Sequence, residues 1–130
     1  QLGKALAEQG QLDGAIAQYH RVLDRNSDSW EAHHYLGEAF AKQGRWDEAI
    51  TSYDRCVKVH PNDFMSYAGL GDVWLGKGMA ERAIEFYQKA IDLNPNLAEV
   101  YDKLGDALAK VGRQKEASVS YRRGLELKAK

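Results

Sequence analysis

The chain has little to reinforce it covalently. One cysteine, Cys56, in 130 residues leaves no internal disulfide. Two prolines, Pro61 and Pro95, exclude collagen-like and proline-rich disordered classes. An excess of either charge is missing too, with 18 Lys+Arg against 19 Asp+Glu and a net charge of −1. Such a balance gives no broad positive field to hold a phosphate backbone, so no nucleic acid is expected as partner. No apolar run approaches the ~20 residues that cross a bilayer, and the start lacks a charged-then-apolar leader. The expectation is therefore a soluble, cytoplasmic protein with no membrane partner.

What the chain does have is repetition. Leu36-Gly37, Leu70-Gly71 and Leu104-Gly105 follow one another at a step of 34, with Leu2-Gly3 one step earlier. Gly10, Gly44, Gly78 and Gly112 keep the same phase, as do Ala15, Ala49, Ala83 and Ala117, and Tyr19, Tyr53, Tyr87 and Tyr121. Pro61 and Pro95 close two copies, and Ser27 stands in that place in the first. The copies run 1–29, 30–63, 64–97 and 98–130, the first being truncated, and all four are read as a single domain.

Within one period the apolar residues fall on helical stripes, Leu36, Gly37 and Phe40 on one and Ala49, Tyr53, Cys56 and Val57 on another. Each period is two amphipathic helices, and the whole reads as eight, near 1–9, 12–26, 30–43, 46–59, 64–77, 80–93, 98–111 and 114–128. Gly44 lies where a helix end needs a residue that accepts positive φ. Asn62-Asp63 and Asn96 precede helices whose free amides their side chains can cap. Small residues such as Gly37 and Ala49 let the two backbones of a hairpin approach, and Tyr53 and Phe40 fill the wider space. One hairpin cannot bury its stripe alone, so successive hairpins must stack into an all-α solenoid.

These residues resemble the tetratricopeptide repeat family over essentially the whole chain. At the usual first-helix aromatic site stand His33, Tyr67 and Tyr101. The resemblance implies a right-handed α-α superhelix whose concave groove, lined by the first helix of each pair, holds a peptide or partner segment. It implies no catalysis and no cofactor.

Groove positions carried over copy by copy are Lys4 and Glu8, then Glu31, His34, Tyr35, Glu38, Ala41 and Lys42. Met65, Ala68, Gly69, Asp72, Leu75 and Gly76 follow, then Glu99, Asp102, Lys103, Asp106, Ala109 and Lys110. Seven of these are acidic and four basic. Glu38, Asp72 and Asp106 share one repeat position and would align as a ladder favouring a positively charged segment. Small Ala68, Gly69 and Gly76 beside apolar Tyr35, Met65 and Leu75 suggest a shallow pocket for one apolar anchor. The expected partner is a protein or peptide whose apolar residue is flanked by Lys or Arg. The bland alternative is a solvated surface that keeps the protein soluble.

Two subtypes of the family do not fit. The carboxylate clamp that grips acidic chaperone tails needs Lys and Asn on the first helix and Asn, then Lys and Arg, on the next two, and most of it is missing where Lys4, Tyr35, Met65 and Gly69 stand. The asparagine ladder of glycosyltransferase-linked repeats would need Asn where Gln1, Tyr35, Gly69 and Lys103 stand.

Other reactive side chains have simpler explanations. Glu31, His34 and Glu38 share one helix face, but no facing helix supplies a second Glu-x-x-His for a metal pair. His33 reads as packing, and His20 and His60 have no nucleophile at useful spacing. Cys56 stands where Val22, Ala90 and Gly124 stand in other copies, which makes it an inert packing thiol. Trp74 shares its position with Leu6, Phe40 and Leu108 and is core, whereas Trp30 is the better surface candidate. Lys115, Arg122, Arg123, Lys128 and Lys130 form a solvated basic end. Gln1 falls inside a helix, which suggests a piece of something longer. Leu125 and Leu127 are expected to stay partly open, so self-association through the solenoid ends is a second reading. A third makes the chain the repeat segment of a larger enzyme such as a glycosyltransferase.

Overall fold

The computed structural model describes the backbone of residues 2–130 and the side chains from residue 9 onward. Among the described residues there are seven helices and no strand. They are α1 (Leu2–Arg25), α2 (Trp30–Lys42), α3 (Trp46–Val59), α4 (Phe64–Gly76), α5 (Ala80–Leu93), α6 (Ala98–Lys110) and α7 (Gln114–Lys128). They fall into two compact units, Gln1–Pro61 and Asn62–Lys130. The fold is the expected all-α solenoid of helix pairs.

The pairs close through glycine and tyrosine. A Cβ placed on Gly71 would lie 2.5 Å from the ring of Tyr87, and one on Gly37 or Gly105 would lie 2.8 or 2.7 Å from Tyr53 or Tyr121. The glycine is thus a socket for a ring sixteen residues later, and a methyl group there would displace the ring. Tyr87 is fully buried in the second unit, where Ala83, Ala90, Ile91, Val100, Leu104, Ala107, Leu108 and Ala117 form one core. In the first unit the buried set is Ile16, Ala32, Leu36, Ala39, Phe40, Ala49, Tyr53 and Cys56. Each large side chain so buried contributes about 2 kcal/mol.

The turn between paired helices depends on positive φ. Gly44 has φ of 72°, and Gly78 and Gly112 have 87° and 84°. At the first, Gly44 N–H bonds Ala41 O at 3.0 Å and Arg45 N–H bonds Phe40 O at 2.9 Å, which satisfies the carbonyls that a helix end leaves free. Arg45 then clasps Glu48, its Nε and Nη2 donating to the two carboxylate oxygens at 2.7 Å each. Arg113 and Glu116 repeat the clasp.

Here the first copy departs from the expected pattern. A break at Gly10 between helices 1–9 and 12–26 is not formed, and α1 runs unbroken from Leu2 to Arg25. Gly10 lacks the positive φ of its counterparts. Gln11 and Gly14 stand where Arg45 and Glu48 make the clasp, but the clasp is not what makes the turn, since Gly78 takes positive φ with Met79 and Arg82 in those places.

The capping expectation also needs correction. Ser29 caps α2 by accepting from Ala32 N–H at 3.3 Å. Asp63, before α4, makes no side-chain bond to a free amide and instead accepts the Ser66 hydroxyl at 2.6 Å. Asn96 does not cap α6, and its N–H donates to Asn94 Oδ1 at 3.1 Å.

Candidate interaction surface on the first helices

In the first unit α2 presents Glu31, Tyr35 and Lys42 to solvent, with His34 and Glu38 half-buried beside them. His34 Nε2 lies 2.7 Å from Glu38 Oε1, one helical turn on. The His34 ring also meets Tyr35 and Tyr53 edge-on, at centroid distances of 5.4 and 5.9 Å. Tyr35 stacks on Tyr19 of α1 with centroids 5.6 Å apart and planes 18° from parallel, yet remains 47% exposed. Lys4 and Glu8 lie outside the described side chains.

In the second unit α4 exposes Met65 and Asp72, and Leu75 is half-buried. From α6, Asp106 is exposed and Asp102 and Lys103 are half-buried. The carboxylates are not idle. Asp72 Oδ1 accepts the Tyr87 hydroxyl at 2.6 Å, and Asp72 Oδ2 accepts Lys103 Nζ at 3.0 Å. Asp106 accepts the Tyr121 hydroxyl, and Asp102 pairs with Lys128. Burial, then the hydrogen bond to Asp72, then the Asp72 charge hold the Tyr87 phenol far above its ordinary range. The bond to Asp106 leads the same shift at Tyr121.

Two parts of the expected groove change on this account. Asp72 and Asp106 hold tyrosines on the helix that follows before they can offer anything to a partner. Ala68 is only 6% exposed and belongs to the core, so it is not a pocket wall. Sequence reasoning does not find the tyrosine bonds, although each carboxylate stands fifteen residues before its tyrosine. It does not find the Tyr19–Tyr35 stack either, because the repeat pairs Tyr19 with Gly3 rather than with a ring.

The remaining candidates resolve simply. His33 is buried, with Nε2 3.0 Å from Ser27 O, and Cys56 is fully buried. Trp30 stacks on His60 at 4.3 Å and closes the end of the α2–α3 hairpin, which accounts for its half-burial. Trp74 packs on the second core, flanked by Lys77 and Arg82 over its ring at 5.3 and 4.9 Å. Leu125 is 65% exposed, whereas Ile91, its counterpart one repeat earlier, is 6% exposed. No described helix is long and apolar enough to cross a membrane.

The same fold occurs in solved structures of MamA. One, described as the crystal structure of MamA, is 27% identical with a TM-score of 0.88, over 98% of this chain and 75% of that one. A MamA double mutant of strain RS-1 is 27% identical with a TM-score of 0.87, over 99% and 72%. MamA from Desulfovibrio magneticus RS-1, from its residue 41 to its end, is 27% identical with a TM-score of 0.86, over 99% and 73%. No curated protein matches the sequence at a comparable level. Two family profiles, both described as tetratricopeptide repeat, match residues 1–57 and 41–98 in one case and 86–117 in the other. With these profiles spanning most of the sequence, and with the glycine sockets, positive-φ turns and buried tyrosines recurring in phase, the chain belongs to the tetratricopeptide repeat family.

Proposed function

We propose that this chain is a non-catalytic protein-interaction domain of repeat units 1–29, 30–63, 64–97 and 98–130, and that in each of its two compact units the face of the first helices receives a partner segment. The observation that carries this reading is the exposure of large apolar or aromatic side chains among charges on that face. Tyr35 is 47% and Met65 50% exposed, although both helices bury their other sides. Such anchors are costly to leave in water and suit a partner with an apolar residue flanked by Lys or Arg. His34 and Lys42 would frame the contact in the first unit, and Leu75 and Lys103 that in the second.

The test is capture of partners by variants that leave the fold's internal bonds alone. Glu31→Lys with Met65→Ser should abolish capture, while Arg55→Glu with Glu85→Lys on the second helices should not. Equal loss or equal retention by both pairs would refute the reading.

One observation favours a second reading, in which the domain self-associates. Leu125 holds an exposed position whose counterpart Ile91 is buried. If this reading is right, light scattering detects an oligomer that Leu125→Gln converts to monomer.

A further inference from the structure

We infer that Tyr35, between Glu31 and Glu38, is a binding subsite for an arginine side chain. The inference rests on the proposed use of the first-helix face and names the chemistry of the partner residue there. Tyr35 is the exposed ring of a stacked pair, held by Tyr19 at 5.6 Å and by a T-shaped contact with His34 at 5.4 Å. A ring fixed in this way, in a residue that is still 47% exposed, can receive a cation without losing side-chain freedom on binding.

Carboxylates stand one turn to either side, Glu31 four residues before and Glu38 three residues after. Glu38 commits Oε1 to His34, which leaves Oε2 to accept. Glu31 has no ion pair among the described residues.

The second unit explains why the cation belongs at Tyr35 and not along the whole carboxylate row. There Asp72 spends one oxygen on Tyr87 and the other on Lys103, while Asp102 is matched by Lys128. That unit supplies its own cations. Lys103 itself occupies the repeat position of Tyr35, where it places an ammonium on a first-helix carboxylate. In the first unit the same position is a ring, and its two acidic neighbours have no lysine partner among the described residues. Arginine suits such a place better than lysine, because a planar guanidinium stacks on a ring while its edge donates to a carboxylate.

The subsite is tested without any protein partner, by following the tyrosine ring signals of the 13C-labelled protein as N-acetyl-arginine amide is added. Shifts should concentrate at Tyr35 and Tyr19, and N-acetyl-lysine amide should bind about threefold more weakly. Tyr35→Phe should keep the response and Tyr35→Ala should lose it, each with an unchanged circular dichroism spectrum. Equal response to the arginine, lysine and norleucine amides, or a response that survives Tyr35→Ala, overturns the inference. A partner that depends on Glu31 and Met65 but ignores Tyr35→Phe and Tyr35→Ala alike sinks the subsite and leaves the binding face. An arginine response at Tyr35 with partner capture indifferent to Glu31 and Met65 does the reverse.

Discussion

The two units put the same repeat position to different uses. In the second, Asp72 and Asp106 face their hairpin's tyrosine and accept its hydroxyl, and Lys103 closes on Asp72 from the following helix. In the first, Glu38 turns to His34, and the exposed ring of Tyr35 takes the place that Lys103 holds in the last repeat. One residue class at one position therefore fastens successive helices in one unit and pairs within its own helix in the other. A repeat fixes where a side chain stands, and its neighbours decide what it does.

The contrast can be tested by its consequences for stability. The largest effect is expected from Gly71→Ala, whose new methyl would lie 2.5 Å from the Tyr87 ring, backed by a fully buried core. A loss of about 3 kcal/mol is expected, read from urea unfolding. Tyr87→Phe should cost about 1.5 kcal/mol by removing the hydroxyl's bond to a charged acceptor.

The same bond predicts a pH dependence. Because the folded phenols of Tyr87 and Tyr121 hold their protons above the ordinary tyrosine range, the folded state binds more protons than the unfolded chain there. Their contribution is complete below about pH 10 and falls as pH rises beyond it. Absorbance titration should find these two phenols ionising above the ordinary tyrosine range.

Smaller effects separate the first copy from the rest. Gly44→Ala forces a side chain into positive φ and should cost about 1 kcal/mol. At Gly10, which lies within α1 and where an added methyl would meet nothing within 4 Å, alanine should instead stabilise by about 1 kcal/mol. A loss at both sites would mean that α1 bends at Gly10 as the later copies do. Lys103→Met should matter least, under about 0.5 kcal/mol, because both partners of its ion pair are more than 40% exposed and water screens them.

The helix pairs, their glycine turns and the buried tyrosines are legible in the sequence because steric needs repeat every 34 residues. A socket at Gly71 and a ring at Tyr87 leave little choice. The first copy misleads because its 34-residue phase is intact while α1 runs straight through Gly10, and the clasp does not account for the difference, since Gly78 turns with Met79 and Arg82 in its place. The candidate face is legible as a set of positions, including Glu31, Tyr35, Met65 and Asp72. Its bonding is not, since sequence places Asp72 on a face without saying that Tyr87 reaches it. Nor does the 34-residue phase bring Tyr19 to Tyr35, which requires the actual packing of α1 on α2.

The most direct test sets two double variants against each other, each measured for unfolding midpoint and for partner capture below that midpoint. Glu31→Gln with Tyr35→Ala should lose capture at a small cost in midpoint, since the stack on Tyr19 goes with the ring, and Asp72→Asn with Asp106→Asn should lower the midpoint further while folded protein still captures. If both pairs lose capture, or if the first lowers the midpoint as much as the second, the division of labour between the two units is wrong.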